Sequence, residues 1–294
     1  HRGPAPLQHL PVSFLTNIYE WFMRKKRQLE ILSSDEVEKM RAAGRLAARL
    51  LSHLGEMVEP GITTQELDDE AVAFAEREGV EHAPHDYKGF PRSICTSINN
   101  VVCHGIPDQK DLLEEGDLVA IDVTPILDGF HGDTCATFYV GEPSEEARKL
   151  VGVTAEALRR GLKEVRAGKR LGDIGAAIQS YVETEGFSVV RDFIGHGIGR
   201  TFHAAPQVPH FGSYNTGMRM RPGMAFTIEP MVNIGDYATK VLDDDWTAVT
   251  TDGSLSAQFE HTIVVTKDGV DVMTLLDGQD AFAESPAGVV TFDD

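Results

Sequence analysis

The stretch "AIDVTPILDGFHGDTCATF", residues 120–138, constrains this chain more than any other. Asp122 sits inside an apolar run that reads as a buried strand, and Asp133 lies just past a turn, on what reads as the returning strand. Asp128-Gly129 is a strong two-residue hairpin turn, because both positions tolerate φ > 0. With those two residues as the loop, Leu127 pairs with Phe130 and Thr124 with Asp133. Asp122 lies two residues before Thr124 and shares its face, so Asp122 and Asp133 become diagonal neighbours about 7–8 Å apart. Two carboxylates that close, partly desolvated, repel and raise a pKa. A divalent cation between them removes the conflict. A bulge would break this register, and taken alone the hairpin is equally well explained by an aspartate at a turn or an edge.

The same arithmetic on "SICTSINNVVCHGIP", with Asn99-Asn100 as the loop, sets Cys95 opposite His104 and turns Cys103 to the other face. By itself His104 reads as a hydrogen-bonded structural histidine and Cys103 as a core thiol. "IGHGIGRTFH" places His196 between two glycines, where backbone and ligand can approach closely, and His203 follows it. "GMAFTIEPMV" puts Glu229 in an apolar strand ending at Pro230, and "SAQFEHTIVVT" puts Glu260 in another. Buried glutamate is rare unless paired or metal-bound, although a salt bridge explains each one singly. Collectively, four carboxylates and an imidazole balance two divalent cations and a hydroxide to a small net charge. Oxygen-rich ligation with one histidine favours Mn, Fe, Co or Zn over soft metals. No H-E-x-x-H or cysteine-based zinc motif competes.

Around these motifs the chain reads helix-helix-strands, then helix-helix-strands, which implies an α/β (α+β) fold of two similar halves. Ser33 or Ser34 caps the first helix and Thr64 the second, with Gly79 as its stop. Residues 1–33 read as a loosely packed N-terminal extension ending in the basic cluster Arg24 to Arg27; docking on an RNA surface is the weaker reading of that cluster,. Residues 34–276 read as one folded domain carrying these motifs, and 277–294, with acids and no bases, as a C-terminal tail,. A net charge of −19 argues against nucleic acid as a primary partner,. Three cysteines without a C-x-x-C pair fit a reducing, cytoplasmic setting,. No run approaches the ~18 apolar residues of a membrane span.

"NNVVCHGIPD", "IDVTPILDGFHGDT", "GHGIGRTFH", "RPGMAFTIEPM" and "WTAVTTDGSLSAQFEHT" together closely resemble methionine aminopeptidases of the type I, bacterial kind, from about residue 34 to 275. The resemblance implies the pita-bread fold: two pseudo-symmetric α/β halves with a central antiparallel sheet and outer helices around a dinuclear metal site. It makes Asp122, Asp133, His196, Glu229 and Glu260 the ligands of two divalent ions, with Asp133 and Glu260 bridging both. A metal-bridging hydroxide would attack the first peptide bond, Glu229 would shuttle the proton, His203 would hold the scissile carbonyl, and His104 would contact the leaving amide. The substrate pocket would be walled by Tyr87, Phe90, Cys95, Phe202 and Trp246, next to His104 and His203. One departure is that a cysteine often found just upstream of Tyr87 is absent; Pro84 and His85 stand there. The expected partners are N-terminal methionine peptides and nascent chains with a small second residue, near the ribosome, met by a cytoplasmic monomer. Two rivals remain: a prolidase or aminopeptidase P of the same fold, and a non-enzymatic binding module, which typically has lost ligands that are all present here.

Overall fold

The computed structural model describes residues 29–282, so most of the expected extension and the tail from 283 onward lie outside the described residues. Helix α1 (Ser34–Glu56) starts from a capping box in which Glu36 Oε2 accepts the Ser33 N–H at 2.9 Å,. Its apolar stripe of Met40, Ala43, Leu46, Ala47, Leu50, Leu51 and Leu54 is buried,. Helix α2 (Thr64–Glu78) is capped by Thr63, one residue earlier than the sequence suggested, and ends at Gly79 with φ 70°,. Helices α3 (Glu145–Lys163) and α4 (Leu171–Thr184) pack on one another.

The main sheet has eight strands: β1 (Cys95–Ile98), β2 (Leu118–Val123), β3 (Thr134–Tyr139), β4 (Gly195–Gly197), β5 (Ala204–Val208), β6 (Ala225–Ile228), β7 (Glu260–Val265) and β8 (Val270–Val272). Across the sheet they run β5-β4-β6-β7-β3-β2-β1, with β8 on the far end of β7. Every neighbouring pair is antiparallel. Strands β1–β3 belong to the first helix-helix-strand set and β4–β8 to the second. The two sets meet where β7 touches β3, through two residue pairs, Glu260↔Cys135 and His261↔Thr134. One apolar cluster, including Leu50, Ile121, Leu150, Ile178, Phe226 and Ile263, runs through both. A smaller one gathers Leu32, Met40, Phe130, Ile198, Ala225 and Met273.

The first hairpin keeps its expected register: Leu127↔Phe130 and Ile126↔His131 near the turn, then Val123↔Thr134 and Asp122↔Cys135. Its tip leaves the main sheet and pairs with Glu81–His82 instead. The second expected hairpin does not close on itself. Strand β1 pairs with β2, bringing Cys95 opposite Asp122, while Val101–Cys103 pairs with Ala248–Thr250. The Asn99 side chain is the physical reason. It donates to Asp117 at 2.7 Å and accepts the Leu118 N–H at 3.0 Å, while the Asn99 and Asn100 carbonyls accept from Ser256 and Thr250. The turn is bound to its surroundings, and one backbone bond, Thr96 N–H to Gly105 O at 3.0 Å, joins its two arms.

Candidate active site

Five side chains converge on the middle of the sheet, each placed by a strand. Asp122 is on β2 and Asp133 immediately precedes β3; His196 is central in β4; Glu229 follows β6; Glu260 opens β7. Asp122 and Glu260 are each in register with Cys135, so all three point to one face,. Ligand atoms of Asp133, His196 and Glu260 lie within 4.8 Å of one another. His196 Nε2 is 3.5 Å from Asp133 Oδ2 and 3.7 Å from Glu229 Oε1, which brings Glu229 into the same group. Asp122 joins it through a hydrogen bond to Asp133. Asp133 and Glu260 are 3% and 2% exposed.

The electrostatics of this group are those of a cation site. Burial pushes the Asp122 and Asp133 carboxyls up, and the charges of Asp122 and Glu229 push Asp133 further,. Glu260 is raised by burial and then by Asp133, and Glu229 is raised by burial to about 8. Burial lowers His104 and His196 to about 4 and His203 to about 2, so all three rings are neutral at pH 7. Among the described residues, none of the four acids forms an ion pair with lysine or arginine. Oxygen donors, one neutral imidazole and no competing cation fit divalent metal ions.

Beside the acids stands an aromatic wall. Tyr87 meets Phe202 at 5.1 Å edge-on and His203 at 5.0 Å; Phe90 meets Trp246 at 5.2 Å edge-on. His203 lies 4.2 Å from His196 and 4.1 Å from Phe202, ring centre to ring centre. His104 touches Trp246 at 6.2 Å. Cys95 is buried and in register with Asp122. All the residues singled out from the sequence are therefore within one neighbourhood, with the aromatic group directly against the acidic one. Such a wall suits a thioether side chain through dispersion and sulfur–aromatic contact.

Residues 38–267 match the profile of metallopeptidase family M24. Methionine aminopeptidase A of Synechocystis sp. is 60% identical over 247 residues, which cover 84% of this chain and 98% of that protein. The chain belongs to the methionine aminopeptidases of that family. The crystal structure of methionine aminopeptidase from Rickettsia prowazekii superposes with a TM-score of 0.83 at 51% identity, covering 84% of this chain and all of that one. A Xaa-Pro dipeptidase from Bacillus anthracis, at 24% identity and a TM-score of 0.69, covers 90% of this chain and 70% of its own, and shares the fold. The architecture is thus the pita-bread fold, and the activity is hydrolytic removal of N-terminal methionine by an enzyme that uses divalent metal.

Residues not singled out from the sequence as site candidates also touch this group. Thr227 accepts the His196 N–H at 3.0 Å and donates to Glu229 Oε1 at 2.6 Å. Thr124 donates to Asp133 Oδ1 at 2.8 Å. His210, fully buried, accepts the Glu229 N–H at Nε2, 3.0 Å. His131 stacks on Phe202 at 5.7 Å with the planes 4° apart, and Phe193 meets His104 edge-on at 5.4 Å. A threonine two residues before a glutamate on one strand shares its face, which is the one signal that could have found Thr227.

Proposed function

We propose that Asp122, Asp133, His196, Glu229 and Glu260 hold two divalent ions, drawn from Mn, Fe, Co and Zn, and that the enzyme removes methionine from chains whose second residue is small. When bound, such ions supply Lewis acidity that makes a nucleophile of water near neutral pH and polarises the scissile carbonyl. The chain's own residues do the rest. Glu229, raised by burial, takes a proton and passes it to the leaving nitrogen,. Neutral His203 donates its N–H to the oxygen of the scissile carbonyl as charge builds there,. His104 contacts the leaving amide. Tyr87, Phe90, Cys95, Phe202 and Trp246 enclose the methionine side chain and exclude water. A larger second residue would meet the His104 and His203 rings.

The observation that carries this reading is the set of four buried acids with no lysine or arginine partner among the described residues, beside an aromatic wall. No described helix is long and apolar enough to cross a membrane. On the resemblance, the setting is the cytoplasm, the partners are nascent chains near the ribosome, and the enzyme works as a monomer. Elemental analysis and titration of the metal-free protein with Mn, Fe, Co and Zn test the number and identity of ions; two per chain is expected. Turnover of Met-Gly-Met-Met should exceed that of a Met-Leu peptide, and equal rates would remove the steric claim. Preference for Ala-Pro dipeptides over Met-Ala-Ser would transfer the chain to the prolidase rival.

A further inference from the structure

His203 and Phe202 sit on a segment, Gly199–His203, that belongs to no helix or strand. The β4–β5 pairing, Gly197↔Ala204, closes its ends, and between them its course is set by one backbone bond and by side chains. On one flank His131 holds it. Gly199 O accepts the His131 N–H at 3.0 Å and lies 2.9 Å from His131 Nδ1, while the His131 ring lies flat on Phe202. On the other flank is the stretch of chain that leads into helix α1. The Arg200 guanidinium lies 4.4 Å above the Phe130 ring and 3.1 Å from Glu36 Oε1. A Cβ placed on Gly199 would lie 3.3 Å from Glu30 Oε2 and 3.8 Å from Leu32 Cδ2. Leu32 is 6% exposed, in the apolar cluster with Phe130 and Ile198 against which Phe202 packs. Its N–H donates to Gly223 O at 2.8 Å, which pins the stretch to the second half of the molecule.

We propose that Glu30–Glu36 is a brace for the Gly199–His203 loop, and that Leu32 and Glu36 are positioning residues which set where Phe202 and His203 stand relative to the acids. The claim rests on the assignment of Phe202 and His203 made above. It turns Glu30 to Ser33, which read in the sequence as the end of a loose extension, into part of the catalytic framework. A brace of this kind matters because a displacement of about 1 Å at a donor to the reacting carbonyl can cost about a hundredfold in rate.

Leu32→Ala and Glu36→Gln test it in the full chain. Glutamine preserves the capping box of α1 while removing the charge opposite Arg200, so the second variant spares the helix. Four quantities are read: kcat and KM on Met-Ala-Ser, Mn affinity by calorimetry, and hydrogen exchange of the His131 amide, which bonds Gly199 O of the loop. In both variants exchange at His131 should quicken by about tenfold and kcat/KM should fall by about fivefold or more. Mn affinity should stay within about twofold of wild type, and Leu32→Ile should keep His131 exchange and kcat/KM near wild type. Unchanged exchange at that amide, unchanged kcat/KM, or a parallel loss of Mn affinity would each overturn the brace. The exchange measurement stands even if the wild-type chain fails on Met-Ala-Ser, a result that would count against the function and leave the brace to be judged on its own.

Discussion

Asp133 meets several demands with one residue. Its Oδ1 accepts the Thr124 hydroxyl, its Oδ2 faces His196, and its backbone N–H and C=O both bond the Thr262 hydroxyl, at 3.2 and 2.8 Å. Asp133→Asn keeps the shape and those backbone bonds but gives the site a neutral amide. Activity should fall by about a thousandfold or more, while thermal melting in chelator stays at or above that of wild type, since a buried carboxyl with a raised pKa has gone. Full activity in that variant would refute the assigned ligand. Thr227→Val should weaken metal binding by about tenfold with Thr227→Ser close to wild type; calorimetry decides. The acids were legible in the sequence because carboxylates in apolar runs are conspicuous. Thr227 and His210 were not, because a hydroxyl or an imidazole has many uses and only the fold reveals which neighbour it serves; Thr124 was placed opposite Asp133 by the hairpin register.

At the scale of elements, helix α1 lies in backbone contact with the hairpin that carries Asp133. A Cβ on Gly44 would stand 2.3 Å from Met273 O, and one on Gly132 would stand 2.2 Å from Ala43 O. Neither contact can relax by rotating a side chain. Gly44→Ala should therefore destabilise the protein by about 1–3 kcal/mol in urea unfolding, against the gain expected if helix propensity alone governed that position. Greater stability in that variant would show that α1 has room to move. The caps of α1 and α2 and the Asp128-Gly129 hairpin follow from local rules, and the sequence carried them to within a residue. The Asn99-Asn100 turn did not obey the same rules, because Asp117, Thr250 and Ser256, all distant along the chain, outcompeted its own strands for hydrogen bonds. Gly44 is the same kind of case: its meaning lies in Met273, far along the sequence.

For the whole molecule, the buried acids make stability and metal a single question of pH. Each of the four carboxyls has a folded pKa above its unfolded value of about 4,. Their contribution is complete below that value and is lost as pH rises, through about 8 for Glu229,. The lowered imidazoles act in the opposite sense, but above about pH 7.5 they are neutral folded and unfolded alike, and drop out,. Above about pH 7.5 the melting temperature in chelator should therefore decline, and the gap to the Mn-loaded protein should widen. Parallel curves would contradict the raised acids. The five proposed ligands are also divided between the halves: Asp122 and Asp133 come from the first, His196, Glu229 and Glu260 from the second, and in the main sheet the halves are paired through only two residue pairs. Synthesis proceeds from one end, so a growing chain carries an unfinished set until Glu260 has been added and has slotted beside β3. Hydrolytic power thus arrives late and all at once, after nearly every other part of the scaffold has been made.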